Sequence, residues 1–258
     1  MGFVSFARAP IIHKPTWFRD LACDPFRPMA AKRARTVSNT TASDDNYIDL
    51  QDFNALVSEL TEYDQQRETV IKSSRDVLKL SKQAIYAIHR GDTDDAQIKI
   101  KSAEQAAHEL LPLIVESPTL RQGAFSSAIE EYAEAVIFLI YTLQARVATR
   151  AEITLADAEE YLGGVLDFTG ELNRVAVQKA TQRDKASVQR ARDVVEGLQG
   201  QFLRFDFRNG NLRKKYDALK YTLRKLENTL YELSLTEAGG GMVPKPQEAG
   251  QAEDNDNE

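Results

Sequence analysis

Between Asn46 and Leu235 the chain contains only two prolines, Pro112 and Pro118, and no stretch alternates apolar and polar residues long enough to suggest a sheet. Proline breaks helices and period-two alternation builds sheets, so a chain short of both is left with helices packed on helices. The expected fold class is all-α, a multi-helix bundle. A first helix is expected from about Leu50 to Arg90, closed by Gly91-Asp92 as terminator. At 1.5 Å per residue it is roughly 60 Å long, more than a typical globular helix. A second should run from Thr93 or Asp94 to about Glu116, and a third should begin near Pro118-Thr119, where proline is tolerated. A break in periodicity at Thr149-Arg150-Ala151-Glu152 precedes a fourth helix from about Leu155 to Lys179. A fifth is expected over Lys185–Phe205, and Asn209-Gly210-Asn211 then interrupts the chain.

The last helix has the most regular pattern. Leu212, Tyr216, Leu219, Leu223, Leu226, Leu230 and Leu233 recur at alternating spacings of four and three, a sustained heptad seam. Such a seam serves either a contact inside the bundle or a subunit interface, and spacing does not choose between them.

With 258 residues, 42% of them hydrophobic, the chain can bury a substantial core. No apolar run approaches the roughly 18 residues that a membrane span needs, so no membrane role is expected. The N-terminus lacks the apolar stretch and cleavage site of a secretory signal. A single cysteine, Cys23, excludes a disulfide framework and suits a reducing compartment. The net charge of −6 argues against a protein that coats nucleic acid generally, but the charge is uneven. Residues 1–45 carry seven basic and four acidic groups, four prolines and a polar run, and are expected to be a disordered basic segment. Its KRAR run (Lys32–Arg35) is either part of a nuclear import signal or a solvated patch. Residues 46–235 form the expected helical domain. Residues 236–258 hold six acids against Lys245 and read as a disordered acidic tail.

Two carboxylate pairs carry the chemical signal. Glu131 and Glu134 lie three apart in AIEEYAEAVIFLIYTL; Asp167 and Glu171 lie four apart in YLGGVLDFTGELNRVAV. Each spacing puts its pair on one helix face. Each pair lies about 18 residues from the break near Thr149-Glu152, roughly 27 Å along a helix, so an antiparallel hairpin would bring the pairs level. Four facing acids repel unless a cation lies between them, and hard divalent ions such as Mg²⁺ take oxygen ligands. The apolar run after Glu131 implies a buried helix, where an unpaired carboxylate is expensive. Gly163, Gly164 and Gly170 flank Asp167 inside a helix, where each costs about 1 kcal/mol against alanine. They make sense where another backbone or a ligand approaches closely. The competing reading is a salt-bridged bundle surface, with Arg174 pairing to Glu171 at i,i+3. Zinc or Cys-His chemistry is not expected, because His13, His89 and His108 are scattered and Cys23 lies in the expected disordered segment; nor is a phosphate-cradling glycine loop present.

The segments YDQQRETVIKSSRDVLKLSKQAIYAIHR, EEYAEAV and EEYLGGVLDFTGELNR resemble the translin family, in particular its translin-associated protein X (TRAX) branch. LRKKYDALKYTLRKLENTLYELSL is nearer the translin branch, so the assignment to one branch stays open. The resemblance covers Phe53 to Leu235. It implies an all-helical subunit of a barrel-like hetero-octamer with translin subunits, present in cytoplasm and nucleus. It also implies Mg²⁺-dependent endoribonuclease activity on single-stranded RNA, with single-stranded DNA as a further ligand, in RNA silencing and tRNA processing. The family's catalytic and metal-holding acids fall on Glu131, Glu134, Asp167 and Glu171. The alternative is a non-catalytic, translin-like subunit that binds single-stranded RNA or DNA. Translin's HEHWR-like basic segment is absent, and TLRQGAFSSAIE stands in its place. The nucleic-acid contacts are therefore unassigned. Arg213, Lys214, Lys215, Lys220, Arg224 and Lys225 are candidates whose bland reading is a solvated helix face. An acidic chain must otherwise borrow basic charge from a partner.

Overall fold

A computed structural model of the chain describes residues 49–238; the expectations for residues 1–45 and for 239–258 of the acidic tail lie outside the described residues, while 236–238, the expected start of that tail, continue the last helix. Six α-helices and no strand are found among the described residues: α1 (Leu50–His89), α2 (Thr93–Glu116), α3 (Ala124–Gln144), α4 (Ala158–Thr181), α5 (Lys185–Phe202) and α6 (Asn211–Ala238). No helix among them is long and apolar enough to cross a membrane.

The second half of α1 buries Val70, Ser74, Val77, Ser81, Ala84, Ile85 and Ile88, a stripe at spacings of three and four. The helix stops because Gly91 takes φ 79°, a conformation that side chains disfavour. Asp92 then caps α2 by accepting a hydrogen bond from the Asp95 backbone N–H. Helix α2 returns antiparallel along α1 and buries Ala96, Ile100, Ala103, Ala107, Leu110 and Ile114. It ends where the Ser117 hydroxyl donates to Gln66 Oε1 at 3.1 Å. With 24 residues against 40, α2 is too short to cover all of α1. The first turns of α1 therefore stand clear, with Leu50, Phe53, Val57 and Leu60 exposed at spacings of three and four.

The third helix starts later than its proline suggested. Pro118–Arg121 form a separate 3-10 turn, and Gly123 at φ 89° resets the chain before Ala124. The α3–α4 hairpin expected from the sequence is not formed. Arg121 pairs with Asp157 and Glu160, Gly163 faces Glu130, Gly164 faces Ala133, and Phe168 faces Phe138 and Tyr141. Both number series ascend together, so α3 and α4 run in the same direction. A 21-residue helix is about 31 Å long, and the linker at 145–157 can span that distance because extended chain covers roughly 3.3 Å per residue. The periodicity break is a return strap and not a turn. Its Ala148, Ile153, Leu155 and Ala156 are buried, and Tyr161 donates its hydroxyl proton to the Ala148 carbonyl at 2.8 Å.

Helix α6 packs on α4 and α5. Its seam faces that core: Leu219 and Leu226 are buried, and Leu212, Tyr216, Leu223, Leu230 and Leu233 pack half-buried beside them. The seam is thus a contact within the chain. Helix α5 ends at Phe202, three residues before its expected end, because Phe205 and Phe207 fold back to join Phe202 and Tyr216 in an aromatic cluster.

Candidate acid centre

The parallel register of α3 and α4 still gathers the acids, through a closer contact than a hairpin would need. A Cβ on Gly164 would lie 2.9 Å from Ala133 Cβ, the Glu130 carbonyl oxygen and the Glu134 backbone nitrogen. Only a glycine lets the two backbones approach this far. A Cβ on Gly163 would lie 1.7 Å from Glu130 Oε1, so this glycine makes room for an acid side chain. Gly170 differs: a Cβ there meets nothing within 4 Å, and close approach does not explain it.

Glu134 is buried, only 6% exposed, and among the described residues has no ion-pair partner within 4 Å. Burial first, then the charges of Asp167, Glu131 and Glu171, push its carboxyl up to about 9. Asp167, Glu131 and Glu171 are therefore close enough to raise the cost of charging Glu134. Burial likewise raises Glu131 above the ordinary carboxylate range, although Lys82 Nζ stands 3.9 Å from it and opposes the shift. Glu171 accepts from His89 Nε2, with Arg174 Nη1 3.8 Å away. The i,i+3 partner expected from the sequence is present, but as the more distant of two. Asp167 is held by Lys215 Nζ, which also donates to Glu130 Oε1 at 2.7 Å.

Glu130, His89 and Lys215 were missed by sequence reasoning, although signals for them existed. Glu130 is the first of the Glu-Glu doublet that contains Glu131. His89 lies four residues after Ile85 on the buried stripe of α1, and its ring meets Phe138 at 4.9 Å. Lys215 lies between Leu212 and Leu219 at helical spacings, on the flank of the apolar seam. Its sequence context groups it with a solvated basic face, and the structure turns it inward instead.

Among the described residues, no group of three His, Cys, Asp or Glu side chains is arranged to hold a metal ion as it stands. The donor set is nevertheless of the right kind. It is all carboxylate oxygen, as hard divalent cations require, and it includes one buried carboxyl without an ion-pair partner. Lys215 and His89 already occupy Asp167 and Glu171. An open polar cavity of about 590 Å³ adjoins the centre, lined by Glu130, Glu160, Phe207, Arg208 and the first residues of α3 and α6.

Six helices among the described residues, with an acidic centre between two parallel ones, define the class. The chain belongs to the translin family, whose profile matches residues 65–237. Translin of Gallus gallus is 39% identical over 89 residues, which is 33% of this chain and 39% of that protein. Translin of Homo sapiens is 37% identical over 79 residues, 31% and 35% of the two. The chain thus spans well under half the length of the curated translins it matches. The translin-associated protein X homologue of Schizosaccharomyces pombe is 27% identical over 213 residues, 73% of this chain and 89% of that one. Among solved structures, apo-NeC3PO matches with a TM-score of 0.66 at 22% identity, covering 72% of this chain and 99% of that one. AfC3PO in complex with duplex RNA matches with a TM-score of 0.58 at 22% identity, covering 72% and 98%. These structural matches bear on the fold.

Proposed function

We propose that the chain is a TRAX-type catalytic subunit of a Mg²⁺-dependent endoribonuclease that cleaves single-stranded RNA. Its partners in this reading are translin subunits of a hetero-octamer in cytoplasm and nucleus. The observation that carries the proposal is the convergence of Glu131, Glu134, Asp167 and Glu171, with Glu134 pushed up to about 9 by burial and its acidic neighbours. A protein stores such a cost at a working site more readily than at an inert one. The same four acids are those that the family resemblance picks out. These residues would hold the ion, which supplies Lewis-acid stabilisation and water activation for phosphodiester hydrolysis. Near neutral pH in the cation-free chain, Glu134 retains a proton, Glu171 accepts from His89, and Asp167 is fixed by Lys215.

Substrate and assembly follow from other observations. The name of one structural neighbour records an RNA duplex, which supports RNA as the ligand class. The exposed apolar stripe at the start of α1 supports assembly, because a helix face of this kind is normally covered. The second reading, a non-catalytic binding subunit, draws on the translin relatives, which show the higher local identities.

The deciding experiment incubates the chain with labelled single-stranded RNA and Mg²⁺ or EDTA, with and without a translin partner. Cleavage should require Mg²⁺ and should vanish in Glu134→Gln and Asp167→Asn while helical content persists. Cleavage by both variants at the wild-type rate would remove the catalytic assignment. RNA binding without cleavage in every mixture would favour the second reading.

A further inference from the structure

We propose that Lys215 is the resident counter-cation of the acid centre and gives way when a divalent ion binds. This inference rests on the reading of the four acids as a metal site, and it adds Lys215 and Glu130 to that site as positioning residues.

The geometry carries the argument. Five carboxylates from α3 and α4 gather here: Glu130, Glu131, Glu134, Asp167 and Glu171. Lys215 comes from a third helix and bridges Glu130 to Asp167 across the α3–α4 contact. It is the one lysine that hydrogen-bonds two carboxylates of this group among the described residues; Lys82 stands 3.9 Å from Glu131. Where an ion would be required to hold carboxylates of two helices together, an ammonium does so instead.

The anchoring suits a mobile charge. Leu212 and Leu219, on either side of Lys215 along the seam, fix the α6 backbone. The charge itself hangs on a flexible four-carbon stem and is readily hydrated, unlike a guanidinium locked in a fork. An open cavity lined by Glu130, which Lys215 holds, and by Leu212, three residues before that lysine, lies next to this ion pair. A divalent ion on Asp167 would repel the ammonium, since like charges a few ångströms apart interact strongly in a half-buried site. Withdrawal of Lys215 would release an oxygen of Asp167 for the ion and leave Glu130 free. Gly163 is the residue that makes room for the Glu130 side chain.

The test measures free Mn²⁺ by electron paramagnetic resonance while the full chain is titrated at fixed pH. Lys215→Met and Lys215→Gln should each bind Mn²⁺ about tenfold or more tightly than the unaltered chain, because the competing charge is gone. Lys215→Arg, which keeps the charge, should bind no more tightly than the unaltered chain. The glutamine variant separates charge from packing and hydrogen bonding, and it serves if the methionine variant fails to fold. Equal or weaker Mn²⁺ binding in both neutral variants overturns the proposal. If the unaltered chain binds Mn²⁺ and Glu134→Gln weakens it while the Lys215 variants change nothing, the metal site stands and the role of Lys215 falls. If neither the unaltered chain nor any variant binds Mn²⁺, both fall.

Discussion

Helix α4 is packed on two sides by opposite means. Against α6 it meets a leucine seam, in which Leu219 and Leu226 are buried, with Lys215 at one end reaching Asp167. Against α3 it meets backbone at Gly164 and a group of carboxylates, one of them buried and pushed up to about 9. The first contact is what a helix bundle uses to stay folded. The second also packs tightly, through Phe138, Phe168 and the Gly164 backbone contact, but adds electrostatic cost at the place where chemistry is proposed. The contrast teaches that the proposed chemistry gathers on one face of the helix while a leucine seam closes the other, with Lys215 of α6 tying the two together at Asp167.

The largest effect is expected on the apolar side. Leu226→Glu would bury an unpaired charge and should unfold the chain, seen as loss of helical circular dichroism. A folded variant of wild-type stability would mean that the seam does not close the core. On the other side, Gly164→Val forces a branched side chain into a backbone contact that has no room even for Cβ. It should cost about 3 kcal/mol or more in denaturant melts. Gly170→Ala, six residues along the same helix but facing open space, should instead stabilise by about 1 kcal/mol at most. Equal effects at the two glycines would erase the distinction between them.

Glu134 supplies the intermediate effect. Its folded pKa lies above the ordinary value of 4.5, so the native state holds a proton that the unfolded chain releases. Without divalent ions, stability should therefore fall as pH rises from about 4.5 to about 9, and level off above. Glu134→Gln should lack that slope and be the more stable by on the order of 3 kcal/mol near pH 7. Parallel pH profiles for the two proteins would show that the carboxyl is not burdened in this way.

What could be read from the sequence divides along the same line. The all-α class, the seam and most helix limits follow from periodicity and turn residues, because each depends on near neighbours. Glu134 was recognisable since the helix beyond it is apolar on every side, and Gly163 and Gly164 were recognisable as sites of close approach. The direction of α4 was not. A break in periodicity looks the same whether the chain turns or runs back as a strap, and only the burial of Ile153 and Leu155 separates the two. Lys215 and His89 reach the centre from α6 and α1, and no local spacing reports which distant helix will supply a counter-charge.

The central claim is that the carboxylates of α3 and α4 form a divalent-cation site. Anomalous scattering from crystals of the chain soaked in Mn²⁺ tests it most directly. The account predicts a manganese peak bounded by Glu131, Glu134, Asp167 and Glu171, with Lys215 withdrawn from Asp167. A crystal with manganese elsewhere or nowhere, and Lys215 still bridging Glu130 and Asp167, would contradict it.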